Sequence, residues 1–214
     1  TEALKQNGVA DNTLVIFTSD NGSPARAGDP HLRGRSWADA GAVERMFGHN
    51  PNAPWRGMKA DIFEGGHRVP FIVRWPGSVQ PGTTNRQLVC LVDWMATVAA
   101  IVGHDLPLSA AEDSFDLLPT LREATKSVRD DLIHHSANGI LALRQGDWKL
   151  ILGKGSGGWT RVKIRDEDPA GQLYNLAVDP DEANNLYDQR PKIVSRLTNQ
   201  LNKYKTAGRS RPVH

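Results

Sequence analysis

A continuous run of apolar and β-branched residues, Thr13 to Thr18, is the feature that most restricts the fold of this chain. The run lacks an alternation of polar and apolar positions, which is typical of a strand buried on both faces of a parallel sheet. It ends at Ser19 to Gly22, a series of turn-forming residues. Because ligands of α/β sheets bind beyond the carboxyl ends of the strands, the sequence predicts an α/β fold with a binding site near Asp20 and Asn21.

The residues that follow extend this pattern into a predicted first domain over residues 1–112. Val69 to Trp75 is a second apolar run, and Asp93 to Val102 has apolar residues at helical spacing before Gly103. The segment from Ser23 to Trp55 predicts a long irregular loop, with a short helix near residues 38–46. We therefore expect part of a parallel or mixed sheet flanked by helices, and the strand-to-helix succession favours the parallel arrangement.

The second half of the chain, residues 113–214, has the pattern of a small α+β subdomain. Ala142 to Leu152 predicts two short strands across a glycine turn, and Gln172 to Leu176 predicts one more strand. A terminal helix is expected from Pro191 to about Tyr204, with one apolar face. The sequence therefore predicts a small antiparallel sheet with a packed C-terminal helix.

Composition and charge exclude several classes of protein. The 26 basic and 24 acidic residues give a formal net charge of +2. They are spread evenly and form no basic stripe, so nucleic acid is not an expected partner. No stretch of about 18 apolar residues occurs, and the sequence predicts no membrane span. Cys90 is the single cysteine, which excludes an intrachain disulfide, and its apolar neighbours favour a buried structural thiol.

Three polar residues carry the strongest chemical signal. Asp20 and Asn21 place a carboxylate beside an amide oxygen at a strand end, and Ca²⁺ or Mg²⁺ takes such hard oxygen ligands. Alternatively, Asp-Asn-Gly simply forms the turn that its residues favour. Lys59 precedes a glycine-rich segment and is a candidate for holding an anion, although a solvated surface cation is the other interpretation. Glu64 with Arg68 is interpreted as a structural ion pair.

Histidines are frequent around the predicted loop. His31, His49 and His67 lie in or beside it, which places proton carriers with a pKa near neutrality close to the predicted strand end. We interpret His31 as a surface residue, and we take His49 and His67 as candidates for substrate binding. His134 and His135 follow an apolar run and are given no role.

Several of these segments together have the order and spacing of a known family. Asn12 to Gly22, Lys59 to Pro70 and Trp75-Pro76-Gly77 resemble the sulfatases, in particular arylsulfatase-like members. The resemblance extends over nearly the whole chain, through Leu117 to Leu121, Arg144 to Ile151, Gln172 to Leu176, Asp179 to Glu182, Asn185-Leu186 and the tail Gly208 to Pro212.

The resemblance implies a specific chemistry, and it indicates which catalytic groups lie in this chain and which lie outside it. Sulfatases use a formylglycine, made from a Cys or Ser within Cys/Ser-x-Pro-x-Arg, together with a bound divalent cation, Ca²⁺ or Mg²⁺. This sequence contains no such motif, and Cys90 does not match it. The resemblance therefore places the nucleophile in an N-terminal half outside these 214 residues. It makes Asp20 and Asn21 metal ligands and Lys59 a direct sulfate contact.

The residues leave other functions open. A phosphate ester hydrolase of the same alkaline-phosphatase-like superfamily is one alternative. A stand-alone carbohydrate-binding module that stacks sugars on Trp37, Trp55 and Trp159 is another.

The expected partner is a sulfated small molecule or sulfated carbohydrate. Because Thr1 to Gly8 resembles the end of a helix, we also expect the C-terminal fragment of a longer protein, inactive alone and able to self-associate through an exposed sheet edge.

Overall fold

A computed structural model describes residues 1–24 and 48–212 of the chain. His31, Trp37 and the helix predicted near residues 38–46 lie outside these ranges. The described residues divide into two compact units. The first unit comprises residues 1–19, 70–132 and 203–212, and the second comprises residues 20–24, 48–69 and 133–202.

The described residues contain six strands and five α-helices. The strands are β1 (Val15–Thr18), β2 (Phe71–Arg74), β3 (Asp131–His135), β4 (Leu141–Gln145), β5 (Trp148–Ile151) and β6 (Gln172–Asn175). The α-helices are α1 (Glu2–Gln6), α2 (Glu64–His67), α3 (Trp94–Ile101), α4 (Leu118–Arg122) and α5 (Pro191–Ala207). Short 3-10 turns occupy Ala10–Asn12 and Leu91–Asp93. The mixed α/β class predicted from the sequence is confirmed.

The first unit is built around the pairing of β1 with β2. The two strands run antiparallel, with Val15 opposite Arg74 and Thr18 opposite Phe71. The parallel arrangement that the sequence favoured is therefore wrong for this pair. The predicted burial on both faces is also wrong, since Phe17 and Ile72 are exposed. A continuous apolar run is typical of parallel sheets but does not determine the direction of the partner strand. The described residues add no third strand to this sheet, and self-association through its edge stays a prediction.

Helix α3 and a buried ion pair stabilise the first unit. The Phe71 ring of β2 packs on Trp94 of α3, with 5.8 Å between the ring centroids. The Arg129 guanidinium contacts both carboxylate oxygens of Asp93 at 2.9 and 3.0 Å, and both side chains are buried. Because a broken buried pair leaves an uncompensated charge, this contact fixes the start of α3 to the segment before β3.

The second unit contains the predicted small sheet, with strand order β3-β4-β5-β6. Strands β4 and β5 form a tight antiparallel hairpin in which Gln145 pairs with Trp148 and Gly146 has a φ of 56°. A two-residue hairpin with a glycine of positive φ at its first position is the type II′ geometry. Strand β6 pairs with β5, also antiparallel. The hairpin, the further strand and the antiparallel pairing are confirmed.

The sheet of the second unit covers an apolar core. Its buried members are Ile62, Phe63, Ala142, Ile151, Tyr174 and Leu176. Helix α5, predicted from Pro191 to about Tyr204, extends to Ala207 and buries Leu197 and Leu201 completely. The domain boundary expected near residue 112 stays a prediction.

Candidate active site

The turn after β1 carries the two predicted metal ligands. Asp20 is exposed and Asn21 is half-buried. The side-chain amide of Asn21 donates through Nδ2 to the carbonyl oxygen of Gly22 at 3.0 Å. This bond fixes the orientation of the Asn21 amide. The two side chains offer a carboxylate and an amide oxygen from consecutive residues, which are donors that suit Ca²⁺ or Mg²⁺.

A close backbone approach joins this turn to helix α2. The Gly22 amide donates to the Gly66 carbonyl oxygen at 3.0 Å. A Cβ atom at Gly22 would lie 1.7 Å from the carbonyl oxygen of Gly65, so only glycine allows this contact. The glycines of the two segments therefore determine where Asp20 and Asn21 stand.

Lys59 lies beside the same turn. Its backbone amide donates to the Ser23 carbonyl oxygen at 3.1 Å, and its side chain is half-buried. Ser23 also exchanges two hydrogen bonds with the Asn52 side chain, at 2.8 and 3.0 Å. The structure therefore brings the backbone of Lys59 against the end of the turn that carries Asn21, 38 positions earlier in the chain. We call Asp20, Asn21 and Lys59 the candidate site.

The segment that carries Lys59 is held by Asp61, a side chain that the sequence analysis did not single out. Asp61 is fully buried and accepts from the Met58 amide at 2.9 Å and the Thr160 amide at 3.0 Å. It also accepts from the Thr160 hydroxyl. Between these anchors Ala60 has a φ of 80°. A non-glycine residue in the left-handed region is strained, and such strain concentrates at functional sites.

The predicted substrate-binding histidines are placed differently. His49 is exposed. His67 is half-buried at the end of α2 and its ring packs on that of His134, with 4.3 Å between centroids. Its Nε2 atom is buried and has no hydrogen-bond partner among the described residues. A role for either histidine in substrate binding stays a prediction.

Lys149 is the centre of a buried ionic network next to the core, which we call the Lys149 cluster. Lys149 is fully buried, and its Nζ atom lies 3.0 Å from Glu64 Oε1 and 2.8 Å from Glu182 Oε1. The other Glu64 oxygen is 3.4 Å from both Arg68 and Arg144. The Glu64–Arg68 ion pair expected from the sequence is confirmed, but it is the outer part of a larger cluster.

The pKa values of the two glutamates of the cluster are shifted in opposite directions. Burial alone would raise the pKa of Glu64, but the charges of Lys149, Arg144 and Arg68 lower this pKa below its usual value. Burial raises the pKa of Glu182, although Lys149 opposes this shift. Glu182 also accepts the Glu64 backbone amide at 2.6 Å. Glu64 is thus the firmly ionised partner of Lys149.

The stacked histidines make the stability of the chain sensitive to acid. Burial, aided by the charge of Lys149, lowers the pKa of His67 to about 4 and that of His134 well below its usual value. A depressed histidine pKa means that the unfolded chain takes up protons before the folded one does. Stability is then fully present above about pH 6.5 and declines as the pH falls toward 4.

For His67 alone we expect a loss of about 2 kcal/mol of unfolding free energy on going from pH 7 to pH 5. Urea denaturation at both pH values measures it, with His67→Phe as the matched variant that cannot take up a proton. The pH dependence of the variant should be weaker than that of the original chain. Equal pH dependence in both proteins would show that His67 is not held neutral by its surroundings.

The described residues contain neither a cluster of metal-ligating side chains nor a membrane-spanning helix. Within residues 1–24 and 48–212 there is no group of three or more His, Cys, Asp or Glu side chains placed to hold a metal ion. Asp20 and Asn21 have suitable donors but supply fewer than the six or more oxygens that Ca²⁺ takes. No helix in these ranges is both long and apolar enough to cross a membrane.

Comparison with known proteins connects this geometry to a family. The family model Sulfatase matches residues 1–104, and the model N-sulphoglucosamine sulphohydrolase, C-terminal, matches residues 58–207. The chain is 37% identical over 202 residues to an N-acetylgalactosamine-6-O-sulfatase of Bacteroides thetaiotaomicron, covering 92% of this chain and 37% of that protein.

Solved structures give the same result. A Bacteroides thetaiotaomicron structure, described in connection with the metabolism of multiple glycosaminoglycans, matches with a TM-score of 0.80 and 34% identity over 96% of this chain and 41% of that one. A sulfatase from Pseudoalteromonas sp. matches with a TM-score of 0.74 and 26% identity, over 96% of this chain and 39% of that one. The chain thus spans about two fifths of the relatives it matches. It belongs to the sulfatase family.

Proposed function

We propose that a protein containing this chain hydrolyses sulfate esters of carbohydrates, and that this chain contributes Asp20, Asn21 and Lys59 to the active site. The observation that carries the proposal is the contact of the Asp20–Asn21 turn with the Lys59 segment. Backbone hydrogen bonds from Lys59 to Ser23 and from Gly22 to Gly66 hold the two segments together. A carboxylate, an amide oxygen and an ammonium group carried by two adjoining backbone segments suit the binding of a divalent cation and a sulfate.

Asp20 and Asn21 are the residues that would hold the cation, Ca²⁺ or Mg²⁺. When bound, the cation would polarise the sulfate and stabilise its negative charge. The further ligands that such an ion requires come, in this proposal, from residues outside those that the structure describes. The fixed orientation of the Asn21 amide supports its part in the site, because a ligand that is already positioned loses little freedom on binding.

Lys59 is the residue that would contact the sulfate directly. Its ammonium would donate hydrogen bonds to a sulfate oxygen and stabilise the charge that grows as the S–O bond breaks. The nucleophile, a formylglycine, lies in this proposal outside the 214 residues, because they contain no Cys/Ser-x-Pro-x-Arg motif. Deep packing of the supporting Asp61 keeps the Lys59 backbone rigid.

The relatives indicate the class of substrate. One of them is named an N-acetylgalactosamine-6-O-sulfatase. We infer a sulfated carbohydrate as the substrate of this protein too. The phosphate ester alternative differs in the ester that is cleaved, and a matched pair of substrates separates the two.

The test uses a polypeptide that joins this chain to a formylglycine-bearing segment. N-acetylgalactosamine 6-sulfate and N-acetylgalactosamine 6-phosphate are offered at equal concentration, and released sulfate and phosphate are measured. We expect sulfate release, which EDTA abolishes and Ca²⁺ or Mg²⁺ restores, with phosphate release at background. Faster release of phosphate than of sulfate would assign the protein to phosphate esters instead.

A further inference from the structure

The loop between β5 and β6 is anchored over residues 153–160, which we call the Trp159 loop. The side-chain amide of Gln172 donates through Nε2 to the carbonyl oxygens of Gly153 and Gly155, each at 2.9 Å. The Ile62 amide donates to the Ser156 carbonyl oxygen at 2.8 Å. Backbone groups along this loop are therefore bound to neighbouring segments of the second unit.

Further hydrogen bonds join residues within the loop and attach it to Asn138. The Ser156 hydroxyl donates to the Thr160 carbonyl oxygen at 2.6 Å and accepts from the Gly158 amide at 3.1 Å. The Asn138 amide donates to the Gly157 carbonyl oxygen at 3.0 Å. Ser156 itself is buried. A loop with this many backbone contacts presents its side chains in a defined position.

The Trp159 loop is directly against the segment of Lys59. A Cβ atom on Gly158 would lie 2.3 Å from the carbonyl oxygen of Ala60, so the two backbones are in contact. Thr160 bonds to Asp61 through its amide and its hydroxyl. Trp159 therefore stands between two residues that touch the two positions after Lys59.

Trp159 is exposed at this place. Its exposed fraction is 39%, and among the tryptophans of the described residues it alone falls in the exposed class. The indole of Trp159 thus presents apolar area to solvent from an anchored loop whose backbone contacts the segment that follows Lys59.

An indole in this setting suits one class of ligand. Sugar rings have faces of C–H groups that pack on flat aromatic rings, while their hydroxyl groups remain hydrated or bonded. A tryptophan has only two side-chain torsions and loses little entropy when it binds, and an anchored loop reduces that loss further. The neighbouring Lys59 accounts for the anionic group of the ligand.

We propose that Trp159 is a substrate-binding residue that stacks on a sugar ring of the sulfated carbohydrate whose sulfate is held at Lys59. This inference rests on the proposed function and extends it, since it assigns the binding of the sugar to a residue outside the candidate site. Of Trp55 and Trp159, the two tryptophans considered for sugar stacking that the structure describes, it selects Trp159.

The test measures kcat and KM for N-acetylgalactosamine 6-sulfate in the active polypeptide described above. Trp159→Ala should raise KM about tenfold and change kcat by less than about twofold, because a stacking contact of this kind is worth about one factor of ten. Trp159→Phe should retain most of the affinity. The matched control is Ile164→Ala, which removes another exposed apolar side chain of the same β5–β6 connection and should leave both constants unchanged.

Two results would overturn the inference. One is an unchanged KM in Trp159→Ala. The other is an equal loss of kcat and melting temperature in the Ala and Phe variants, which would indicate a structural role. If the original polypeptide releases no sulfate, the proposed function fails, and titration of the same saccharide followed by tryptophan fluorescence still decides the inference. Quenching that Trp159→Ala abolishes supports stacking, and an absence of quenching contradicts it.

Discussion

Replacement of Lys149 by methionine is expected to lower the free energy of unfolding by about 3–5 kcal/mol at neutral pH. Lys149 is fully buried between Glu64 and Glu182, at 3.0 and 2.8 Å. Methionine fills a similar volume but leaves two buried carboxylates without the cation that separates them. The cost arises from this uncompensated charge, since Arg68 and Arg144 reach only one oxygen of Glu64. Urea denaturation followed by circular dichroism measures the change.

Two further variants identify the cause of that loss. Lys163→Met removes a lysine that is exposed in the same unit and should change stability by less than about 0.5 kcal/mol. Adding Glu64→Gln and Glu182→Gln to Lys149→Met should recover a large part of the loss, because no buried charge then remains at the centre of the cluster. A loss below about 1 kcal/mol in Lys149→Met would mean that the cluster is hydrated, as surface ion pairs are.

Local patterns in the sequence predicted the local elements of the fold. The β4–β5 hairpin follows from two apolar stretches around Gly146, and its turn geometry depends on residues that are adjacent in the chain. Helix α5 follows from the spacing of Leu197 and Leu201, both of which are buried. In these cases the residues that determine the structure lie within a few positions of one another.

Contacts between distant residues were not predictable in the same way. The antiparallel pairing of β1 with β2 joins segments more than fifty positions apart, and neither apolar run indicates its partner. In the sequence, Lys149 is an ordinary lysine within a predicted strand, and nothing marks it as buried. A lysine is almost never fully buried unless it is paired. Its partner Glu64 is 85 positions away, and only the fold shows that the pairing exists.

The candidate site was partly predictable. The strand end at Asp20 and Asn21 and the lysine at Lys59 were identified from the sequence, and the structure places the two segments in contact. The support from Asp61 was not, because an aspartate between Ala60 and Ile62 gives no sign that it binds Thr160, 99 positions later. The same bond determines where Trp159 stands.

Replacement of Lys59 by alanine is the second change with a large expected effect. In an active sulfatase that contains this chain, we expect kcat to fall by roughly a hundredfold to a thousandfold, which is the usual loss when one charge-stabilising donor is removed. As the S–O bond breaks, negative charge grows on the leaving oxygen and the sulfuryl oxygens. A positioned ammonium in a partly buried site stabilises that state more than the ground state, so KM should change less than kcat.

A suitable control must be a cation that has no structural task. Arg56 is close in sequence but donates to the Glu182 carbonyl oxygen at 2.6 Å and lies over the Phe63 ring, so its removal would disturb the core. Lys163 is exposed and serves better. Lys59→Arg keeps the charge but changes its geometry, and we expect it to recover only part of the lost turnover.

The most direct measurement is the comparison of kcat and KM for N-acetylgalactosamine 6-sulfate among the original enzyme, Lys59→Ala and Lys163→Ala. Each protein must have the same formylglycine content and the same melting temperature. We predict a loss of kcat of at least a hundredfold in Lys59→Ala, with a smaller change in KM, and no change in Lys163→Ala. Near-original turnover in a folded, formylglycine-bearing Lys59→Ala enzyme would contradict the assignment of Lys59 to the sulfate and, with it, the candidate site.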